Sequence, residues 1–319
     1  VSGRGNGMTY RVNANVRNVK GVMKKDYRNT IGLTMFLSYH VDNKLTVSFQ
    51  SSFSDLKWKE SPYGKFSDYV RMNPYDAPYD EYGRLNKTGS WEMANPLYEA
   101  ECGNYDEGNS RSFTNTLSFR WDVLPGLFIN GSGSIVTSKD RTEVFYSPES
   151  NVFNGVSNRS EQGTLEIVNE RYLKYEGKII ANYAQNFGED LLLTLHAGAD
   201  IMKETTTRDG YTAYGFYKSS LHAPNFAAGF GTGTRPDGSE DVSTKIGPFV
   251  NANFILKNRY FVDGSFRRSG SSKFGDENRF APFWSVGAGW NIHNEEFATR
   301  FGWLNTFRLR YSYGVTGNV

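Results

Sequence analysis

The chain has 319 residues, 38% hydrophobic and 15% aromatic, and its 36 basic and 34 acidic side chains leave a formal charge of +2. That balance makes no electrostatic case for nucleic acid, and the lack of any run of about eighteen apolar residues excludes a protein that crosses a membrane on helices. A single cysteine, Cys102, rules out an internal disulfide and a cysteine-based metal framework. What remains is β-rich: 20 Tyr, 23 Phe and 33 Gly with few aliphatics suit a transmembrane barrel, a soluble sandwich or a propeller, and composition does not separate them.

The first residues, VSGRGNGMTYRVNANV, are already patterned as a strand, with Tyr10–Val16 alternating weakly and no signal peptide in view. The last strand stops at GVTGNV, so both ends read as cuts in a longer chain. Between them lie four strand pairs. Asn29–Val41 and Lys44–Trp58 turn at Asp42-Asn43, a pair suited to a tight hairpin. In the first of these, Ile31, Leu33, Met35, Leu37, Tyr39 and Val41 share one face against Thr30, Gly32, Thr34, Ser38 and His40. Arg111–Leu124 and Leu127–Lys139 turn at Pro125-Gly126. Leu173–Tyr183 and Leu191–Ile201 turn at Gly188-Glu189-Asp190, and Lys245–Leu256 and Tyr260–Arg268 turn at Lys257-Asn258-Arg259. Trp284–Ile292 and Thr306–Thr316 add two more strands, with a helix predicted between them over Asn294–Trp303, whose Glu295 and Glu296 suit a helix N-terminus.

Short turns at one end alternate with excursions at the other, about Ser61–Ser110, Asp140–Asn169 and Thr206–Ser243. A sandwich scatters long and short connections over both ends, and a propeller shows a repeat of about forty residues, which is not visible here. The asymmetry is that of an antiparallel up-and-down transmembrane β-barrel, and ten or eleven strands are predicted.

Little in the chain suggests catalysis or a metal. His40, His196, His222 and His293 lie on separate elements, with His40 and His196 on the polar faces of strands. No Gly-x-Ser-x-Gly element or Cys-His pairing is present. Gly229, Gly231 and Gly233 have the look of a phosphate loop without the helix that should follow. Asp237, Glu240 and Asp241, or Asp106, Glu107 and Asn109, offer oxygens to calcium, although surface solvation is the favoured explanation for them. Arg267, Arg268, Lys273, Arg279, Arg308 and Arg310 lie near Asp263, Asp276 and Glu277, which suggests ion pairing in a lumen. The excursion Pro62–Asn109 is the best ligand candidate: Tyr75, Tyr79, Tyr82 and Trp91 stand among Asp76, Asp80, Glu81 and Asn95, a mixture of aromatic faces and polar groups that suits sugar rings or peptides. No catalytic residue, metal ligand or cofactor is assigned.

The stretch RRSGSSKFGDENRFAPFWSVGAGW followed by LRYSYGVTGN resembles the barrel signature of the SusC/RagA-like TonB-dependent outer-membrane transporters of Bacteroidetes, and SPYGKFSDYVRMNPYDAPYDEYGRLNK and ANPLYEA add to the likeness. The resemblance implies that residues 1–319 form one partial barrel domain of an expected 22 strands, with long extracellular loops and short periplasmic turns, and with the plug and the C-terminal strands absent. It also implies a place in the cell outer membrane, in contact with its lipid, and a SusD-like surface lipoprotein as partner. The TonB complex would act through the missing plug, and the cargo would be an oligosaccharide or a peptide. A soluble or surface-attached carbohydrate-binding module stands as the alternative; an enzyme would need a converging carboxylate pair that the sequence does not single out.

Overall fold

The computed structural model describes residues 1–231, 233–275, 279–298 and 300–317. It is one antiparallel sheet in which, one short strand apart, each strand pairs with its neighbours in sequence. The strands are β1 (Ser2–Gly5), β2 (Met8–Lys20), β3 (Tyr27–Val41), β4 (Leu45–Lys59), β5 (Tyr105–Leu124), β6 (Leu127–Tyr146), β7 (Thr164–Phe187), β8 (Leu191–Tyr214), β9 (Gly229–Phe230), β10 (Asp237–Leu256), β11 (Tyr260–Ser271), β12 (Phe280–Asn291) and β13 (Arg308–Val315). The short β9 pairs only with β8, and the remaining twelve form one continuous path with β1 and β13 at its edges. The short strands β1 and β9 take the number above the ten or eleven expected.

Turn chemistry accounts for the hairpins. Asn6-Gly7, Asp42-Asn43 and Lys257-Asn258 all adopt positive φ at both central positions, the geometry whose twist matches paired strands. Pro125-Gly126 places glycine at φ 85°, as a turn with proline at its first corner requires. Adjacent turns are laced together: Asp122 N donates to Lys44 O at 2.7 Å, Ala184 N to Gly126 O at 2.8 Å, Lys257 N to Asp190 O at 2.6 Å and Asn291 N to Arg259 O at 2.6 Å. This end of the sheet is therefore level, and every difference in strand length appears at the other end. Twenty-four residues in each of β7 and β8 far exceed the roughly 9–11 that cross a bilayer.

The register aligns side chains by face across the whole sheet. On one face Leu33 lies opposite Phe53, and Phe53 opposite Phe113. Farther along, Ile201 faces Ile246, Val250 faces Phe266, and Phe266 faces Trp284. Leu33, Phe53, Phe113, Ile201, Val250 and Phe266 are all exposed. On the other face one row runs Ser38, Ser48, Ser118, Ser132, Lys178 and Asp200 across β3 to β8. His40 and His196 lie on this face as expected, bonded to Thr46 Oγ1 at 2.9 Å and Asn182 Oδ1 at 2.8 Å.

Two ion pairs on the polar face each skip a strand by crossing a glycine. Arg267 on β11 reaches Asp200 on β8 with two bonds of 2.8 and 2.9 Å, passing over Gly247 on β10, where a Cβ would lie 2.2 Å from the guanidinium. Arg310 on β13 reaches Asp263 on β11 at 3.1 Å, and a Cβ on the intervening Gly287 would lie 2.8 Å from that carboxylate. Lys273 pairs with Asp241 at 3.4 Å, and Arg308 donates to Asn291 Oδ1 at 2.7 Å. Asp200 and Asp241 were not foreseen as partners; Asp276 and Glu277 lie outside the described residues.

The helix predicted over Asn294–Trp303 does not form. After a 3-10 turn at Ile292–Asn294, bonds from Ala298 N to Glu295 O, Phe301 N to Ala298 O and Leu304 N to Phe301 O make successive three-residue turns. The reason is Glu295: Tyr260, Trp290 and Arg259 bind its carboxylate, tying it down to the sheet instead of leaving it to a helix dipole. Those two hydrogen bonds, from Tyr260 first and Trp290 next, together with the Arg259 charge, hold the Glu295 carboxyl below its usual range.

A double-mutant cycle on Asp200→Asn and Arg267→Met in the full-length protein should show a coupling of about 1 kcal/mol, as for a well-formed, partly exposed pair. Gly247→Ala should reduce that coupling toward zero, whereas an unchanged coupling would show that the arginine does not cross the glycine.

Candidate functional site

The excursion between β4 and β5, residues 60–104, is organised by asparagine and aspartate rather than by a core. Asn95 is 2% exposed: its Nδ2 donates to Pro78 O at 3.1 Å and Asn86 O at 2.7 Å, and its Oδ1 accepts from Leu97 N at 3.1 Å. This last bond caps α2 (Pro96–Glu101), whose proline occupies the first turn. Asp80 closes a tight turn by accepting from Arg84 N and Nε at 2.8 Å and from Tyr82 N at 2.9 Å. The Arg84 backbone N–H, with the Arg84 guanidinium and the Tyr82 N–H, holds the Asp80 carboxyl below its usual range. Asp76 accepts from both the N–H and the hydroxyl of Ser90. A further short helix, α1 (Phe66–Val70), opens the excursion.

Glu99 on α2 joins this excursion to the next one, residues 147–163. It accepts from Ser150 Oγ at 2.6 Å, Asn151 N at 2.7 Å and Asn104 Nδ2 at 2.8 Å. Beneath these loops, Phe145, Leu165, Ile167, Ala213 and Phe216 form a buried apolar cluster. Its strand members continue the apolar face beyond the exposed band, and Phe216 and the half-buried Ala227, from residues 215–236, cover them.

The two excursions and the ends of β4, β5 and β6 enclose a cleft of about 1030 Å³. Trp58, Tyr63, Phe66 and Tyr105 give it aromatic walls, and Glu60, Asp68, Glu92, Glu99, Asp106, Asn104 and Asn151 give it oxygen and amide groups. Three of the rings already carry a cation: Arg28 lies over Trp58 at 5.7 Å while pairing with Glu60 at 2.6 Å, Lys25 lies over Tyr63 at 5.7 Å, and Lys59 lies over Tyr105 at 5.6 Å.

The predicted binding residues Tyr75, Tyr79, Tyr82 and Trp91 do not line this cleft. All four stand outward on the same excursion, between 51% and 93% exposed. Trp91 adjoins Glu92, which does line the cleft, and both residues hold positive φ, 55° and 57°. Such a conformation costs a non-glycine residue roughly 1–2 kcal/mol, and bonds from Gly89 N to Met93 O at 2.9 Å and from Ser90 N to Asp76 impose it. The indole is thus presented to solvent by a strained, braced turn. Trp58 and Tyr105 were overlooked because they end regular strands; an aromatic at a strand–loop junction was the available signal.

The candidate calcium ligands do not gather. Asp237 and Asp241 share one face of β10 while Glu240 takes the other, Asp241 and Glu107 pair with lysines, and no metal-holding group of acidic, His or Cys side chains occurs among the described residues. Gly229 and Gly231 are followed by strand β10, not by a helix.

Cys102 ends α2 beneath these bonds, 7% exposed. Burial, and then the nearby Glu99, push its thiol up to about 11, so it stays protonated and unreactive at neutral pH. Asn95→Ala removes the cap and both bonds by which the Asn95 amide ties Pro78 O and Asn86 O together, so maleimide should label Cys102 roughly tenfold faster than in the unmutated protein. An unchanged rate would mean that Asn95 does not hold the loop.

No family model matches the chain. A TonB-dependent receptor of Formosa agariphila is 23% identical over all of this chain and 32% of its own length, and a second from the same organism is 26% identical over 70% of this chain and 21% of its own length. The TonB-dependent receptor SusC of Bacteroides thetaiotaomicron is 36% identical over 24% of this chain and 8% of its own length. The chain thus spans a third or less of the curated relatives it matches. Among solved structures, the RagAB peptide transporter aligns with a TM-score of 0.77 at 21% identity, over 99% of this chain and 36% of that one. In sequence and in fold, the chain matches a SusC/RagA-like barrel segment of Bacteroidetes TonB-dependent receptors.

Proposed function

We propose that residues 1–319 are one wall of an outer-membrane, TonB-dependent importer that takes up oligosaccharides or peptides together with a SusD-like surface lipoprotein. The observation that carries this reading is the two-faced sheet: exposed apolar rows on one side, a bonded polar surface on the other, and hairpins that keep every central strand paired. A sheet satisfies its backbone in hydrocarbon only when further strands close it. The level end carries the periplasmic turns and the braced excursions face outward, toward the lipoprotein and the cargo. The wall supplies containment and capture, not bond chemistry, and the energised step belongs to the plug and TonB.

In this reading Tyr75, Tyr79, Tyr82 and Trp91, exposed on the excursion whose Tyr63, Phe66 and Glu92 line the cleft, contact the cargo where it is first received. Their rings suit sugar faces or peptide side chains, and Asp76 and Asp80 are already committed to holding the loop. The soluble-module alternative requires the apolar face to be packed dry, and that face is exposed from β3 to β13.

Cells carrying the full-length receptor can be offered a defined oligosaccharide series and a defined oligopeptide series, with depletion of each measured with and without TonB. One series should be depleted in a TonB-dependent manner, and Trp91→Ala combined with Tyr82→Ala should weaken capture about tenfold, the equivalent of 1.4 kcal/mol. Uptake indifferent to TonB would overturn the importer reading, and capture indifferent to the double variant would remove the exposed aromatics of the excursion from it.

A further inference from the structure

The connection between β12 and β13, residues 292–307, is the exception at the level end. The other connections there are tight hairpins made of polar, glycine and proline residues. This one carries Phe297, Phe301 and Trp303, each more than half exposed. Its three-residue turns give it two sides: Glu295 and Ala298 are buried against the sheet, while the three aromatics point away.

The way the segment is fastened shows which surface it continues. Tyr260 and Trp290 belong to the exposed apolar face, stacked at 6.2 Å and in register with Leu256 and Leu309. Their polar tips, Tyr260 Oη at 2.7 Å and Trp290 Nε1 at 2.9 Å, both end on Glu295, which Arg259 also binds at 3.1 Å. Phe297 then meets the edge of Trp290 at 6.4 Å. Apolar rings on one side of a line of polar tips are what a membrane–water boundary selects, since Trp and Tyr place their bodies in the acyl region and their donors in the headgroups.

We propose that Phe297, Phe301 and Trp303 lie in the headgroup–acyl boundary of the membrane leaflet at the level end, inserted beside the barrel as an anchor. The occupant of this face is lipid because the patch is continuous with the apolar band through Trp290 and Phe297. This inference rests on the membrane reading above and goes beyond it, since a barrel needs no such anchor.

The test uses the full-length receptor in vesicles of phosphatidylcholine brominated either near the headgroup or deep in the chains. Trp303→Phe and Trp284→Phe are compared with the unmutated protein, so that the difference in emission isolates each indole. The emission from Trp303 should be largely lost with shallow bromine and less affected by deep bromine, and that from Trp284, on the apolar band, should be lost in at least one of the two lipids. If Trp284 is quenched while Trp303 responds only to aqueous iodide, or to neither quencher because a second copy or another protein covers it, the anchor is wrong and the membrane reading stands. If neither lipid quenches Trp284, the membrane reading itself fails, and the anchor with it.

Discussion

Register is the constraint on which everything else in this chain depends. Side chains alternate with a period of two, so slipping one strand by one residue against its neighbour would carry Asp200 and Lys178 to the apolar face and Ile179 and Ile201 to the polar one. Both faces here have something to lose by that exchange. The level end supplies the lock: tight hairpins, three of them with positive φ at both corners, fix the pairs, and the backbone bonds between neighbouring turns fix one pair against the next.

Once the register is set, the polar face can use interactions that span several strands. Arg267 and Arg310 each cross a glycine to reach a carboxylate two strands away in the sheet, which ties β8 to β11 and β11 to β13 without adding bulk to the lumen side. The same register sends all surplus strand length to the far end. There β5 to β8 rise past the exposed band, their apolar face is covered by Phe216 and Ala227, and the excursions gain a floor on which to fold. The volume of the cleft, about 1030 Å³, lies at the top of the range for small-molecule sites.

Much of this was legible in the residues. Alternation in Ile31–Val41, Phe113–Val123 and Leu309–Val315 foretold strands and faces, and Asp42-Asn43 and Pro125-Gly126 foretold turns, because both signals are local. What escaped was non-local. Glu295 reads as the first turn of a helix until Tyr260, thirty-five positions away, claims its carboxylate. Asp200 is an unremarked polar-face residue until Arg267 arrives across two strand pairings. The excursion at 60–104 looked structureless because Asn95, Asp76 and Asp80 fold it by bonding to backbone groups chosen by chain geometry, and no periodicity records such bonds. The four aromatics picked from its composition are presented outward, and the cleft itself is built from strand ends that carried no separate signal.

The central claim is that the two faces of this sheet meet different solvents. Spin labels placed singly along β7, at successive positions from Leu173 to Ile180 in the full-length receptor in vesicles, test it directly. Odd positions should relax with apolar oxygen and even positions with a water-soluble nickel complex, in strict alternation. Equal exposure of both faces to the aqueous reagent, or burial of the odd positions from both reagents, would contradict the account and return the sheet to a soluble packing.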